Sequence, residues 1–311
     1  MLIFQGISSS RAARRPRAVT IGVFDGVHRG HQALIERCTS LARADGITST
    51  VVAFEPHPRA FFRPQEAPGR IQGMRDRALA LSRLGMDELH ILRFRQSVAS
   101  MSPEHFMDAF LHDQLQARHL VVGDDFRFGA RRAGSFDTLV QAEAQYGWTT
   151  HRIDSVTAAG ARISSSALRE ALRAGDLDAV RQMTGRPYTL SGHVIHGRKL
   201  GRDIGVPTLN IPVHRQLLAS GIFAVSVEGI GPSPLPGVAS LGRRPTVEDA
   251  GRLLLEVHLF DWNDDAYGRI VDVTLVHRLR DEVRYDHLDD MIAQIHIDAA
   301  QAREHLSQHG L

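Results

Sequence analysis

Two histidines, His28 and His31, stand three residues apart in Gly22-Val23-Phe24-Asp25-Gly26-Val27-His28-Arg29-Gly30-His31. Ala18, Val19, Ile21 and Val23 ahead of them read as a strand. Leu34, Ile35, Cys38 and Leu41 behind them repeat at helical spacing. Residues three apart share a helix face, so both imidazoles project beside the open N–H groups of a helix start. That end carries partial positive charge and suits phosphate. Gly26 and Gly30 let the backbone turn tightly and let a ligand come close. The stretch predicts a nucleoside triphosphate site. If the attacking group is a phosphate oxygen it is already ionised, so the site needs no base, only positioning and charge stabilisation. A pair that merely caps the helix is the plainer alternative, and the flanking strand, glycines and Asp25 weigh against it.

Three further pieces lie in the same half. Phe54-Glu55-Pro56-His57-Pro58 follows the apolar strand Val51 to Phe54, which puts His57 at a strand's C-terminal end, where open α/β sheets bind ligands. A rigid Pro-flanked turn is the alternative. Val121-Val122-Gly123-Asp124-Asp125-Phe126-Arg127-Phe128-Gly129 combines aromatics that can stack on a ring with carboxylates that can accept from it. An ordinary strand-end turn reads equally well. Ile163-Ser164-Ser165-Ser166-Ala167-Leu168-Arg169 opens a helix with hydroxyls that can cap it or donate to phosphate, and Arg169 is a two-pronged donor.

The richest segment of the second half is Gly192-His193-Val194-Ile195-His196-Gly197-Arg198-Lys199-Leu200-Gly201-Arg202-Asp203-Ile204-Gly205-Val206-Pro207-Thr208-Leu209-Asn210. Its glycines and cations favour close backbone approach to phosphates. Thr208 and Asn210 lie two apart, on one face of an extended segment, and both offer hard oxygens. Mg²⁺ takes one or two such protein ligands and fills its shell with water and phosphate. A basic hairpin loop is the alternative. In Leu253-Leu254-Leu255-Glu256-Val257-His258-Leu259 the odd positions alternate onto one face, and Glu256 and His258 point the other way. Glu256 can take the proton of an alcohol attacking a γ-phosphate, or can be a solvated outer-face carboxylate.

Together the first-half pieces resemble the nucleotidylyltransferases marked by His-x-Gly-His and Ser-Ser motifs. Phe-Glu-Pro-His-Pro and Val-Gly-Asp-Asp-Phe-Arg-Phe-Gly narrow the resemblance to the FMN adenylyltransferase module of bacterial bifunctional riboflavin kinase/FAD synthetase. The second half resembles the riboflavin kinase module of the same family. There Gly192 to Asn210 matches the phosphate and metal motif, Gly237 to Thr246 a second element, and Leu279-Arg280-Asp281-Glu282 the loop near the flavin. Val23, Ser166, Ser240 and Tyr285 stand where the family usually carries Asn, Thr, Asn and Phe.

The resemblance implies two reactions: riboflavin's terminal hydroxyl attacks the γ-phosphate of ATP, then the FMN phosphate attacks the α-phosphate of a second ATP and releases pyrophosphate. For the second step it implies His28, His31, Ser164, Ser165 and Arg169 as charge stabilisers, and Gly22, Phe24, Asp25, Gly26 and Ser166 as further nucleotide contacts. His57, Asp125 and Phe126 would touch flavin or nucleotide. For the first step it implies Glu256 as base and Thr208 and Asn210 on Mg²⁺. Gly192, His196, Gly197, Gly201, Arg202, Gly205, Pro207 and Thr208 would surround ATP, with Arg280 and Glu282 beside the flavin. A flavin- or nucleotide-binding regulator, suggested by Val23 and Ser240, and an enzyme with only its kinase module active are the competing readings.

The elements that must position these groups follow from pattern and composition. The 311 residues suffice for two domains, and 43% hydrophobic with 23% charged residues is ordinary for a soluble globular chain. Lys+Arg 37 against Asp+Glu 35 gives no case for nucleic acid, and no apolar run reaches membrane-spanning length. The single Cys38 forms no internal disulfide and suits a reducing cytoplasm, the expected location. The basic run Arg11, Arg14, Arg15, Arg17 reads as a solvated loop rather than a transit peptide, and a weak homo-oligomer is compatible with the whole.

Apolar strands near 18–24, 47–54, 88–94 and 119–123 alternate with helices near 31–44, 74–84, 103–116 and 135–146, which predicts an α/β, Rossmann-like parallel sheet covered on both faces. Helical pattern runs on from Ala167 to Met183 with a break at Ala174-Gly175-Asp176. After Pro187 short alternating segments predict a small antiparallel β-barrel closed by a C-terminal helix bearing Leu288, Met291, Ile292, Ile295 and Ala299. The expected domains are therefore 1–186 and 187–311.

Overall fold

Runs rich in Val, Ile and Leu in the first half are buried on both faces, which is what a parallel sheet flanked by helices demands. A computed structural model of the chain describes residues 1–6, 15–158, 160–197, 205–213, 218–243, 253–308 and 310. Packing groups them into two units: Met1–Pro68 with Met74–Ser164, and Gly69–Gly73 with Ser165–Leu311.

The first unit holds β1 (Leu2–Gln5), β2 (Arg17–Gly22), β3 (Thr48–Glu55), β4 (Glu88–Arg93), β5 (Ala117–Gly123) and β8 (Thr149–Ile153), with a small hairpin of β6 (Arg127–Phe128) and β7 (Gly134–Ser135) between the last two. A second small hairpin pairs β9 (Thr157–Ala158) with β10 (Ala161–Arg162). The six long strands run parallel in the order β1-β4-β3-β2-β5-β8. The chain leaves β2 toward β3 and β4 on one side and returns to add β5 and β8 on the other. The crevice at the carboxyl end of β2 is thus the place where such sheets bind ligands.

Helix α1 (Arg29–Ala44) buries Ile35, Cys38, Thr39 and Ala42. The short α2 (Pro58–Phe62) follows β3, and α3 (Met74–Arg83) buries Ala78, Ala80 and Leu81 in the same cluster as α1. Burial pushes the Cys38 thiol up to about 12, and its S–H donates to the Ala18 carbonyl at 3.2 Å, so it is core. On the opposite face α4 (Gln96–Ala99) and α5 (Pro103–His105) lead into a π-helix at Phe106–Gln114. Ser102 caps α5, and the helix expected near 103–116 widens after one turn. Its buried side chains Phe106, Met107, Phe110 and Leu111 recur at i, i+4 and i+1, i+5, and Leu115 N–H donates to the Phe110 carbonyl five residues back. The expected helix near 135–146 divides into α6 (Phe136–Gln141), capped by Ser135, and α7 (Glu143–Tyr146).

At the other end of the sheet a buried ion pair replaces apolar packing. Arg17 and Glu88 are both fully buried, with Arg17 Nε donating to Glu88 Oε2 at 2.7 Å, and Thr50, Arg15 and His90 also meet this carboxylate. Burial alone would raise the Glu88 carboxyl, but hydrogen bonds from His90, Arg17 and Arg15 hold it well below the usual range.

In the second unit α8 (Ser165–Ala174) and α9 (Leu177–Thr184) pack Leu168, Leu172 and Val180 with Ile71 and Leu218. Strands β11 (Tyr188–His193), β12 (Leu209–Val213), β13 (Gly221–Glu228), β14 (Leu235–Arg243), β15 (Leu253–Leu259) and β16 (Ile270–Arg280) form an antiparallel sheet in the order β11-β16-β13-β14-β15-β12. A bridge between Ile195 and Asn210 brings its two ends together, so the sheet is a nearly closed barrel. Leu255, Val257, Phe223, Val225, Val271 and Val273 fill its interior.

Strand β14 starts inside the Pro/Gly-rich stretch Gly231 to Gly237, its Pro236 and Gly237 pairing with Ser226 and Val225. One expectation changes here. On the final helix, α10 (Leu288–Gln308), Leu288 is exposed. Burial concentrates instead at Asp298, Ala302 and Leu306, the last two against Ile222, Val238 and Phe260 on the barrel's outer surface.

Candidate active sites

The turn from β2 into α1 builds the first site. His28 is the N-cap of α1, and its Nδ1 accepts from the His31 backbone N–H at 3.4 Å. The two imidazoles stack with centroids 3.7 Å apart, and Phe24 flanks His31 at 5.1 Å. The turn bends sharply, with Phe24 and Val27 both in the left-handed region at φ 52° and 41°. Gly30 packs closely beside it: a Cβ there would lie 3.2 Å from the His28 ring, which would have to shift slightly, and 3.8 Å from the Ile163 carbonyl. That contact also places Ile163, just ahead of Ser164, against the start of α1. Burial, then the neighbouring His28 and Arg77, hold the His31 imidazole well below its ordinary value, so it is neutral at pH 7. Its Nδ1 is buried and makes no hydrogen bond to the described residues.

Gly22, Phe24, Asp25, Gly26, His28 and His31 therefore gather at the carboxyl end of β2, with Asp25 and His28 buried. At the ends of the adjoining strands stand the other expected contacts. His57 caps α2, its Nδ1 accepting from the Arg59 N–H at 3.0 Å. Asp125 is exposed and accepts from Arg162 at 2.6 Å, while Phe126 stacks on Phe128 with centroids 5.6 Å apart. Next to His57 the sequence reading overlooked a set of edge-on rings, Phe54, Phe61, Phe62 and Phe94. Phe62 is 61% exposed, a signal visible in the Phe61-Phe62 pair shortly after Pro56-His57-Pro58.

Ser165, Ser166 and Arg169 belong to the second unit. Arg169 is buried there, with Nε donating to the Gly69 carbonyl at 2.7 Å and a terminal nitrogen to the Ser165 carbonyl at 3.1 Å. It organises the start of α8 and the segment Gly69–Gly73.

The barrel carries the second site on β12, β15 and β14. Glu256 pairs in register with Asn210 on one side and Ser240 on the other. Asn210 is buried, and its amide nitrogen donates to the Thr208 carbonyl at 3.2 Å. Gly197 is needed against this amide, since a Cβ would sit 2.5 Å from Asn210 Nδ2. His258 Nδ1 donates to the Pro207 carbonyl at 2.9 Å, fixing the bend before Thr208. A cavity of about 320 Å³ opens here, lined by Pro207, Thr208, Val257, Leu259, Trp262 and Tyr267 among others. His196 lies tilted against Tyr267, with ring centroids 3.8 Å apart. Gly192 lies against Ile211 and Gly205 adopts φ 76°. Gly201 and Arg202, with Arg198 and Lys199, lie outside the described residues.

Glu282 reaches the same row. Ser240 Oγ donates to Glu282 Oε1 at 2.8 Å, and the carboxylate occupies the space a side chain on Gly242 would need. Desolvation first, and then the charge of Glu256, raise the Glu282 carboxyl, against the pull of the Ser240 hydrogen bond. Arg280 is held by a partner the sequence reading did not name: Nε and a terminal nitrogen donate to the two oxygens of buried Asp298 at 2.8 and 2.6 Å, with Gln294 also on Asp298. The oxygens of Thr208 and Asn210 are hard donors that fit Mg²⁺. Among the described residues no group of three or more His, Cys, Asp or Glu is arranged to hold a metal ion.

The FAD synthetase family model matches residues 10–167 and the riboflavin kinase family model residues 184–306. Proteins named bifunctional riboflavin kinase/FMN adenylyltransferase from Pseudomonas fluorescens and Escherichia coli K12 are 42% and 41% identical, each match covering 97% of the relative and 97% or 98% of this chain. The Haemophilus influenzae protein of the same name is 36% identical over 304 residues. A crystal structure described as a macrolide-efflux protein from Streptococcus pneumoniae superposes with a TM-score of 0.82 at 27% identity, covering 96% of this chain and 97% of that one. No helix among the described residues is long and apolar enough to cross a membrane.

Proposed function

The chain belongs to the family of bifunctional riboflavin kinase/FMN adenylyltransferases, and we propose that it makes FMN and then FAD at two separate sites. The observation that carries this reading is that each half builds its own polar constellation, one with a carboxylate next to hard oxygen donors and one with histidines at a helix start. An alcohol nucleophile needs its proton removed, whereas a phosphate nucleophile does not.

In the barrel, Glu256 takes the proton of the ribityl hydroxyl, and ATP lies in the cavity beside Thr208 with its adenine toward Trp262 and Tyr267. Thr208 and Asn210 would hold Mg²⁺, which neutralises charge on the phosphates when bound. Glu282, set by the Arg280–Asp298 pair, borders the flavin. In the first unit His28 and His31 donate toward the phosphates of a second ATP, aided by the open N–H groups of α1. Ser164, Ser165, Ser166 and Arg169 supply further donors in this reading. The exposed rings around Phe62, with His57, Asp125 and Phe126, offer the flavin an aromatic surface. The division of labour falls near Arg186, giving functional modules 1–186 and 187–311, and the reactions run in the cytoplasm, in keeping with the lone, buried Cys38.

The test is incubation of the purified protein with riboflavin, ATP and Mg²⁺, with flavins resolved by chromatography over time. FMN first and FAD later is the expected course. FMN alone would leave only the kinase module active, and flavin binding without any product would favour a regulator.

A further inference from the structure

Arg77, on α3, is 2% exposed and has no place in the chemistry described above. One terminal nitrogen donates to the Val23 carbonyl at 2.9 Å, and the other to Glu55 Oε2 at 3.2 Å and to Met74 Sδ at 3.3 Å. Val23 is the last residue before Phe24, and the left-handed Phe24 and Val27 bracket the bend that ends in His28. A non-glycine residue in that region costs about 1–3 kcal/mol, so the surroundings must hold it there. On the far side Gln32 Nε2 donates to the Val27 carbonyl at 2.9 Å. The bend is therefore pinned at both ends, by α3 at Val23 and by α1 at Val27.

We propose that Arg77 is a positioning residue for adenylyl transfer: it ties the strained 23–28 turn to Glu55 at the end of β3 and so places the His28–His31 pair. This rests on the reading that the first unit adenylylates FMN. Arg77 acts through the turn and as a fixed positive charge facing His31. The charged groups that act on His31 are His28 from its own helix start and Arg77 from α3, and Glu55 from β3 pairs with Arg77. With Arg77 in place His31 stays neutral through the physiological range. Removing the cation takes away one cause of that depression, so the His31 titration midpoint rises toward its ordinary value. The acid limb of FAD formation moves up with it.

The experiment uses full-length Arg77→Met, Arg77→Lys and Glu55→Gln. FAD formation from supplied FMN is read against ATP concentration and pH, FMN formation from riboflavin serves as control, and the imidazole resonances of His31 are titrated by NMR without substrate. For Arg77→Met the expected result is a kcat for FAD lower by about 10²-fold, the loss a misplaced reacting group brings. KM for ATP should change less, the His31 midpoint should rise, and FMN formation should be unchanged. Arg77→Lys should return the midpoint but only part of kcat, because a point charge cannot bridge a carbonyl and a carboxylate as a planar fork does.

Should Arg77→Met fail to fold, Glu55→Gln decides: FAD formation should fall several-fold with no rise in the His31 midpoint, since the cation remains. Wild-type FAD formation in Arg77→Met, or a His31 midpoint that stays put when the charge is removed, overturns the proposal. If the unsubstituted protein forms FMN but no FAD, the adenylyltransferase reading fails instead, and the titration still decides whether Arg77 sets His31.

Discussion

The two proposed phosphate sites of this chain differ in what supplies their charge. At the β2–α1 turn the donors are helix N–H groups and two stacked imidazoles, on a bend with two left-handed residues. On the barrel they are side-chain oxygens and a carboxylate, on extended strands in regular register. The first arrangement suits a nucleophile that arrives ionised, and the second one that must lose a proton. The state of the attacking oxygen, more than the shared use of ATP, decides which residue types each half needs.

The sharpest way to break this contrast is Glu256→Gln, which keeps the shape of the strand and removes the base. FMN formation should fall by about 10³-fold or more, within the range of lost general-base catalysis, while FAD formation from supplied FMN persists. Product ratios by chromatography read both at once, and loss of both activities in a folded protein would merge the sites. Next in size is Glu88→Gln, which leaves Arg17 buried without its counter-charge. We expect a loss of about 3–5 kcal/mol in urea unfolding, with FAD formation failing at a lower temperature than FMN formation.

His28→Ala comes third. It removes one donor and the cap of α1, and FAD formation should drop by about 10²-fold while the kinase step is untouched. The smallest effect sharpens the comparison through pH. Folding holds His31 below its ordinary 6.5, so between that value and its folded value the unfolded chain binds more protons and stability falls as pH drops. Glu88 adds a loss only at lower pH: its contribution is complete above its unfolded value of 4.5 and disappears as pH falls through its depressed folded value. Urea midpoints measured from pH 8 to pH 4 should show the His31 part disappearing in His31→Gln.

Periodicity exposed most of the architecture because both halves follow simple rules: apolar runs in the buried sheet, strict alternation at Leu253 to Leu259 in the barrel. It failed where a strand lacks that signature. Thr149–Ile153 is an edge strand of mostly polar residues, and β14 begins with Leu-Pro-Gly. The candidate site residues visible in sequence were those in local motifs, such as His28, His31, Thr208 and Asn210. Arg77, Asp298 and the Phe54–Phe94 ring cluster act across long separations, and their partners are defined only by folding. Spacing alone could not show that Arg280 is taken up by Asp298 eighteen residues on, or that Ser240 Oγ meets Glu282.

The small cluster of Ile71, Leu168, Leu172, Val180 and Leu218 has a practical consequence for dissecting the gene. Fragments separated at Arg186 would divide it, leaving Leu218 and Tyr188 on one product and the rest on the other, with the Tyr188 hydroxyl cut off from the Ile71 carbonyl 2.9 Å away. Each piece would then carry a greasy scar at its newly made end. Expression trials that shift the cut site should therefore gain solubility when the break falls before Ser165 and the excised barrel is co-produced with the Gly69–Gly73 loop donor, rather than when it follows the motif boundary.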